Sequence, residues 1–246
     1  MSMKLSTSTW LEVEDYLLHS DGIIFPTGSI EQHGPIGLIG TDMLCVDTIS
    51  TRVGEEINAL VAPPLGYAPA EFNMSFPGTI SLSLKLYKEI CGEIFSSITK
   101  HGFGHIYVLN GHGANLEPLG ELAKEFTNVS IRVKSWWEFP SVNKLRNSLY
   151  SDWEGMHATP SEISITQAYH RIISSPLASE PPEKLTKEYI ITHSGDRHEG
   201  PVKHRASFPD GRVGSHSSLA KPEHGVALTN AAVLEIKQDY LDFLRA

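Results

Sequence analysis

Cysteine is nearly missing from this chain: Cys45 and Cys91 are the two among 246 residues. They lie far apart in helical-looking segments without a CxxC or zinc-ribbon spacing, which argues against a disulfide framework and against a thiolate metal site. Two reduced core thiols are the expectation. Long apolar runs are missing as well. No stretch approaches the ~18 residues of a membrane span, and Met1-Ser2-Met3-Lys4-Leu5-Ser6-Thr7 turns polar before a signal-like apolar region forms, so a cytoplasmic, membrane-free protein is expected. Positive charge is short too: 20 Lys and Arg stand against 29 Asp and Glu, for a net charge of −9. With no basic block, a nucleic-acid partner is not expected. Internal repeats and low-complexity tracts are absent.

What is present suits a soluble globular protein: 40 % hydrophobic and 20 % charged residues, enough for one α/β domain over residues 1–246. Ser8-Thr9-Trp10-Leu11-Glu12 opens a capped helix whose buried face is read as Trp10, Leu11, Tyr16, Leu17 and Leu18. A short strand, Ile23-Ile24-Phe25, comes next. Helices are expected from Thr41 or Asp42 through Ile57, from Ser83 through Ile98, and from Leu116 to Phe126. Strands fall at Val61, His105–Leu109 and Val129–Val133 between them. This alternation predicts a mostly parallel sheet with helices on both faces. Residues 176–182 and 193–222 read as long Gly-, Pro-, Ser- and His-rich loops, and a last helix carries Val233, Ile236, Tyr240, Leu241 and Leu244 on one face.

The chemistry concentrates where strands end. Glu31-Gln32-His33-Gly34-Pro35 follows the Ile23 strand, with Asp42 beyond it. In an extended segment Glu31 and His33 point the same way, about 6 to 7 Å apart, on the scale of two neighbouring metals. Asp42 also fits as a plain helix cap. After the His105 strand comes Asn110-Gly111-His112-Gly113-Ala114-Asn115, where His112 is either a ligand or a turn histidine, and Asn110 and Asn115 are turn formers or orienting groups. A third segment, Glu154 to Glu162, holds His157, and its Glu162 sits in the first turn of a helix that Pro160 opens. There Glu162 is either a ligand or a helix-dipole partner. Two His, two Glu and one Asp form a mixed nitrogen and oxygen set that suits Zn, Mn or Fe in an open catalytic site. Five protein ligands exceed the need of one tetrahedral zinc and match two ions about 3.5 to 4 Å apart, with Asp42 as the bridging carboxylate.

Pro26-Thr27-Gly28-Ser29-Ile30-Glu31-Gln32-His33-Gly34-Pro35 with Gly40-Thr41-Asp42 resembles the signature of the creatininase (creatinine amidohydrolase) family. Phe76-Pro77-Gly78-Thr79, the Asn110 to Asn115 segment, His157 to Glu162, Phe208 to Gly214 and Pro222-Glu223-His224-Gly225 follow in the family's order. The resemblance implies a three-layer α/β/α fold, two divalent metal ions, hydrolysis of an unusual amide C–N bond through a metal-bridging hydroxide, and a homo-oligomer, often a hexamer. It also implies that Glu31, His33, Asp42 and His112 bind metal and that His157 is the active-site histidine.

Two departures qualify it. Creatininase has an acidic ligand two residues after the second histidine, where this chain has Ala114, as in a Gly-rich version of that motif; Glu162 is then expected to complete the second metal's shell. The histidine common after the proline is missing from Pro35-Ile36-Gly37-Leu38. Trp153 matches an aromatic position near substrate, and Trp136 and Trp137 are either a further wall or core. His157 or a metal-free Glu162 is the expected proton carrier. The substrate is expected to be a small cyclic amide or formamide. A nucleotide-like substrate would draw on Arg197, His198, Lys203, His204, Arg205 and Arg212, which otherwise belong to a solvated loop. A lactone or ketone hydrolase and a non-catalytic metal- or metabolite-binding protein are the alternatives.

Overall fold

A computed structural model describes residues 3–246, so the first two residues of the polar opening stretch lie outside it. Along the chain, α1 (Trp10–Leu17), β1 (Gly22–Thr27), α2 (Thr41–Ile57), β2 (Leu60–Val61), α3 (Leu84–Lys100), β3 (His105–Asn110), α4 (Leu116–Glu125) and β4 (Ser130–Ser135) alternate in turn. After them come α5 (Pro140–Tyr150), α6 (Pro160–Tyr169), α7 (Lys187–Thr192), α8 (Pro201–Ser207) and α9 (Pro222–Phe243). The strands pair in parallel in the order β2-β1-β3-β4. β1 is buried at each residue and β3 at each after His105, as parallel strands covered on both faces must be.

Side chains of a strand alternate between faces, and here the alternation sorts them into two cores. Ile24, Tyr107 and Leu109 meet Cys45, Val46 and Ile49 of α2, Ile165 of α6 and the Leu228, Ala232, Val233, Ile236 face of α9. Ile23, Phe25, Ile106 and Val108 meet Tyr16 of α1, the Tyr87, Cys91, Phe95 stripe of α3 and Leu119 and Leu122 of α4. The result is the expected three-layer α/β/α arrangement, with each free cysteine in a different core.

Two expectations need correction. Thr9 does cap α1, in a capping box with Glu12, but Trp10, Leu11 and Leu18 are 72 %, 58 % and 75 % exposed. The helix is anchored through Tyr16, whose hydroxyl donates to the Gly22 carbonyl at 2.7 Å and accepts from the Leu60 N–H at 3.2 Å. The stretch read as loop from 193 to 222 contains α8 and a 3₁₀ turn at Ser217–Leu219, because Pro201 occupies the first turn of α8, where its missing N–H costs nothing. Among the described residues, no helix is long and apolar enough to cross a membrane.

Candidate metal centre

β1 and β3 lie side by side with Thr27 opposite Asn110, so the segments leaving their C-terminal ends emerge together, where open α/β sheets carry their sites. The first turn of α2 is wedged against both. A Cβ at Gly28 would stand 2.4 Å from the Met43 nitrogen, and one at Gly111 would stand 2.6 Å from the Asp42 carbonyl oxygen. Only glycine allows that approach. Asn115 ties the two exits, its amide donating to the Gly28 carbonyl and to Asn110 Oδ1, both at 3.1 Å. Asn110 in turn accepts from the His112 N–H at 3.1 Å and donates to the His112 carbonyl at 2.8 Å. Both asparagines therefore shape the turn that presents His112.

Asp42 is no cap. Gly40 precedes α2 without a side-chain cap, and the Asp42 carboxylate faces inward instead. Its Oδ1 lies 2.9 Å from His33 Nε2, while Oδ2 lies 3.0 Å from His112 Nδ1 and accepts from the Ser29 hydroxyl at 2.9 Å. Glu31 Oε1 stands 3.2 Å from His112 Nδ1 and 3.6 Å from His157 Nδ1. Glu162 Oε1 accepts the Thr159 N–H in a capping box, as a helix-start carboxylate does, and also lies 3.8 Å from His33 Nε2, which places it in the same donor cluster. Three buried donor groups result, Glu31–Asp42–His112, His33–Asp42–Glu162 and Glu31–His33–His157, each with its donor atoms within 4.8 Å of one another.

The donor chemistry fits a divalent cation. His33 Nδ1–H donates to the Glu31 carbonyl at 3.1 Å and His112 Nε2–H to the Pro69 carbonyl at 2.6 Å, so the other ring nitrogens face carboxylates. A neutral ring would set a lone pair against carboxylate oxygen; a proton or a metal must lie between them. Glu31 Oε1, fully buried, has no hydrogen-bond donor. The protonation tendencies of the protein groups agree. Burial would lower His33, but Asp42 and Glu162 override it and hold it at about 10; His112 is likewise pushed well up by Glu31 and Asp42 against its burial. Asp42 moves far down, since His33 and His112 outweigh its burial. Burial raises Glu162 to about 7 and Asp196 to about 6, and lowers His157 to about 4.

A cavity of about 300 Å³ opens beside these groups, with His157, Glu162, Trp136, Trp137, Arg146 and Asp196 in its wall. Trp136 and Trp137 thus serve both as core and as wall. Trp153 is not in the lining; its ring packs on His216 at 5.7 Å and under the Lys184 ammonium at 4.5 Å. Nor do the loop cations line the cavity. Arg197 reaches Glu117, Lys203 pairs with Glu199, Arg205 caps the Ser75 carbonyl over Phe76, and Arg212 is paired with Asp210 at 2.7 Å. His198 and His204 pack against Phe72, at 4.7 and 5.0 Å between ring centroids.

Three polar side chains at the site lie outside the motifs read from the sequence, Asn73, Arg146 and Asp196, and a fourth, Ser29, lies inside the Pro26–Pro35 signature without being singled out there. Asn73 donates to Glu31 Oε2 at 2.9 Å and accepts from the Gln32 amide at 2.8 Å, and Arg146 Nε donates to Glu154 at 2.9 Å. Ser29 and Asn73 are the partners that orient Asp42 and Glu31, a role set by contacts across the chain.

Comparison with known proteins gives the chain its relatives. Creatinine amidohydrolase of Pseudomonas putida is 28 % identical over 200 residues, which covers 71 % of this chain and 77 % of that protein. The 3-dehydro-scyllo-inosose hydrolase of Thermotoga maritima is 30 % identical over 145 residues, covering 57 % of this chain and 46 % of that one. A solved manganese form of creatininase superposes with a TM-score of 0.76 at 24 % identity and 99 % coverage of both chains. The family profile described as creatinine amidohydrolase matches residues 6–239. On that match and this fold, the chain belongs to the creatininase family.

Proposed function

We propose that this family member is a hydrolase using two divalent metal ions, one held by Glu31, Asp42 and His112 and the other by His33, Asp42 and Glu162. The observation that carries the reading is the carboxylate of Asp42, whose two oxygens face two different histidines at 2.9 and 3.0 Å. That is the shape of a bridging ligand. Bound there, two ions supply Lewis acidity toward a carbonyl oxygen and lower the pKa of water toward about 7.

The protein groups supply positioning and proton handling. His157 Nε2–H is engaged by the Gln32 carbonyl at 2.6 Å and burial keeps the resting ring neutral, while Glu31 Oε1, 3.6 Å from Nδ1, would steady the ring as Nδ1 takes a proton from the attacking water and returns it to a leaving nitrogen. Trp136 and Trp137 offer flat walls to a small ring, and Arg146 offers the cavity's cationic donor. A cavity of about 300 Å³ suits a small molecule. The substrate reading is therefore a small cyclic amide or formamide, with a cyclic ketone as the second reading on the likeness to the Thermotoga hydrolase. The apolar Trp10, Leu11 and Leu18 face of α1 supports a homo-oligomer, which light scattering of the purified protein tests.

Elemental analysis of protein purified without chelator, followed by a hydrolysis screen over creatinine, formamidopyrimidines, lactams, lactones and cyclic ketones, tests the reading. Close to two ions per chain with turnover of a C–N substrate is expected. Metal-free protein sinks it, and metal without turnover leaves a binding protein instead.

A further inference from the structure

Around the single Nδ1 of His112 stand three carboxylate oxygens from three separate segments: Asp42 Oδ2 at 3.0 Å, Glu31 Oε1 at 3.2 Å and Asp196 Oδ2 at 3.7 Å. One imidazole N–H cannot satisfy three acceptors. Two donors bound to one ion with bonds of about 2.1 Å lie about 3.0 to 3.7 Å apart, depending on the angle between them. All three separations fall in that range. Asp196 comes from the segment between α7 and α8, remote in sequence from the other two, and its side chain is 12 % exposed.

The turn after His112 is built to receive it. The Ala114 N–H donates to Asp196 Oδ2 at 3.0 Å, and Gly113 leaves the room: a Cβ there would stand 2.3 Å from that same oxygen. The buried Glu31 Oε1, which lacks a hydrogen-bond donor, is a second sign that a cation belongs at this point.

We propose that Asp196 is a metal ligand, the third carboxylate of the ion held by Glu31, Asp42 and His112. The assignment rests on the dinuclear reading above. It makes this position richer in oxygen than its neighbour, with three carboxylates to one histidine, and so better suited to Mn²⁺ than the neighbouring position is. It also ties the segment from 193 to 200 to the ion, so that metal uptake orders it.

The test is calorimetric titration of demetallised protein with Mn²⁺, in wild type, Asp196→Asn and Gly113→Ala, with hydrogen exchange over residues 193–200. Wild type should show two binding steps, and Asp196→Asn should weaken one of them by about 10- to 100-fold while sparing the other. The spared step shows that the variant is folded. Gly113→Ala should weaken the same step by displacing Asp196. Mn²⁺ should slow exchange over 193–200 in wild type and fail to do so in Asp196→Asn. Two unaltered steps in Asp196→Asn, or exchange over 193–200 indifferent to metal in wild type, overturn the assignment of Asp196 while the dinuclear reading stands. Wild type that takes up no Mn²⁺ overturns both.

Discussion

The two sides of the candidate metal centre are built differently. On the sheet side, Glu31, His33, Asp42 and His112 are all buried and held by main-chain contacts: two glycines press the start of α2 against the strand exits, and Asn115 laces those exits together. On the covering side, α7, α8 and the segment between them pack through side chains. Phe72, His198 and His204 form a ring cluster, Tyr189 stacks on His193 at 3.8 Å, and Ile191 and Val202 are 75 % and 77 % exposed. Burial lowers His198 and His204 to about 3 and 4, so this cover is held near neutral pH by uncharged rings. Fewer buried contacts mean a lower free energy of local opening. The sheet side fixes the donor side chains, and the cover side is the one expected to open first.

The largest effect tests whether the sheet side is one unit. Asp42→Ala removes the carboxylate shared by both donor groups and should strip both ions together, lowering hydrolysis by about 1000-fold or more, as the loss of one shared member of a catalytic unit does. Loss of a single ion, read by elemental analysis, would show two independent sites.

Next in size is a pH effect confined to that side. His33 is held at about 10 against an ordinary 6.5, so in demetallised protein its charge contributes stability in full below pH 6.5, and this is lost as pH rises through 10. Metal binding displaces that proton and tightens over the same window. The gap in melting temperature between loaded and demetallised protein should therefore widen from pH 6.5 to 10. A constant gap would place His33 away from the ion.

Smaller again is Gly111→Ala, whose Cβ would stand 2.6 Å from the Asp42 carbonyl oxygen. Thermal melts should show a loss of about 1 to 3 kcal/mol, the usual cost of overpacking, with weakened metal binding alongside. The cover should be the opposite case. Arg197→Ala removes an exposed, loose pair with Glu117 at 3.8 Å and should change stability by less than about 0.5 kcal/mol. A cost as large as that of Gly111→Ala would erase the distinction between the two sides.

Much of the sheet side was legible because its chemistry is local. Glu31, His33, Asp42 and His112 sit at strand exits and a helix start, where short sequence spacing fixes direction. The alternation of helix and strand predicted the three layers for the same reason. Asn73, Arg146 and Asp196 were not legible. Asn73 and Glu31 are 42 positions apart, and Ala114 and Asp196 are 82 apart, distances at which only the folded chain decides who meets whom. The face of α1 fails differently: periodicity reveals that apolar residues share a side, not that a neighbour covers them, and Trp10 and Leu18 point outward. Within 193–222, composition hid α8, since Pro201 reads as a breaker until it is seen to open a helix.

The placement of the two free cysteines has a practical use. Cys45 lies in the core that backs the helices carrying Asp42 and Glu162, its thiol donating to the Glu162 carbonyl at 3.5 Å, and Cys91 lies in the core on the other face of the sheet. Burial raises both, Cys91 to about 12, so neither reacts as a thiolate in the folded chain. Each therefore reports, by the moment at which a thiol reagent captures it, when its own face of the sheet opens. The protein carries a built-in pair of clocks for asking whether metal loss loosens one face ahead of the other.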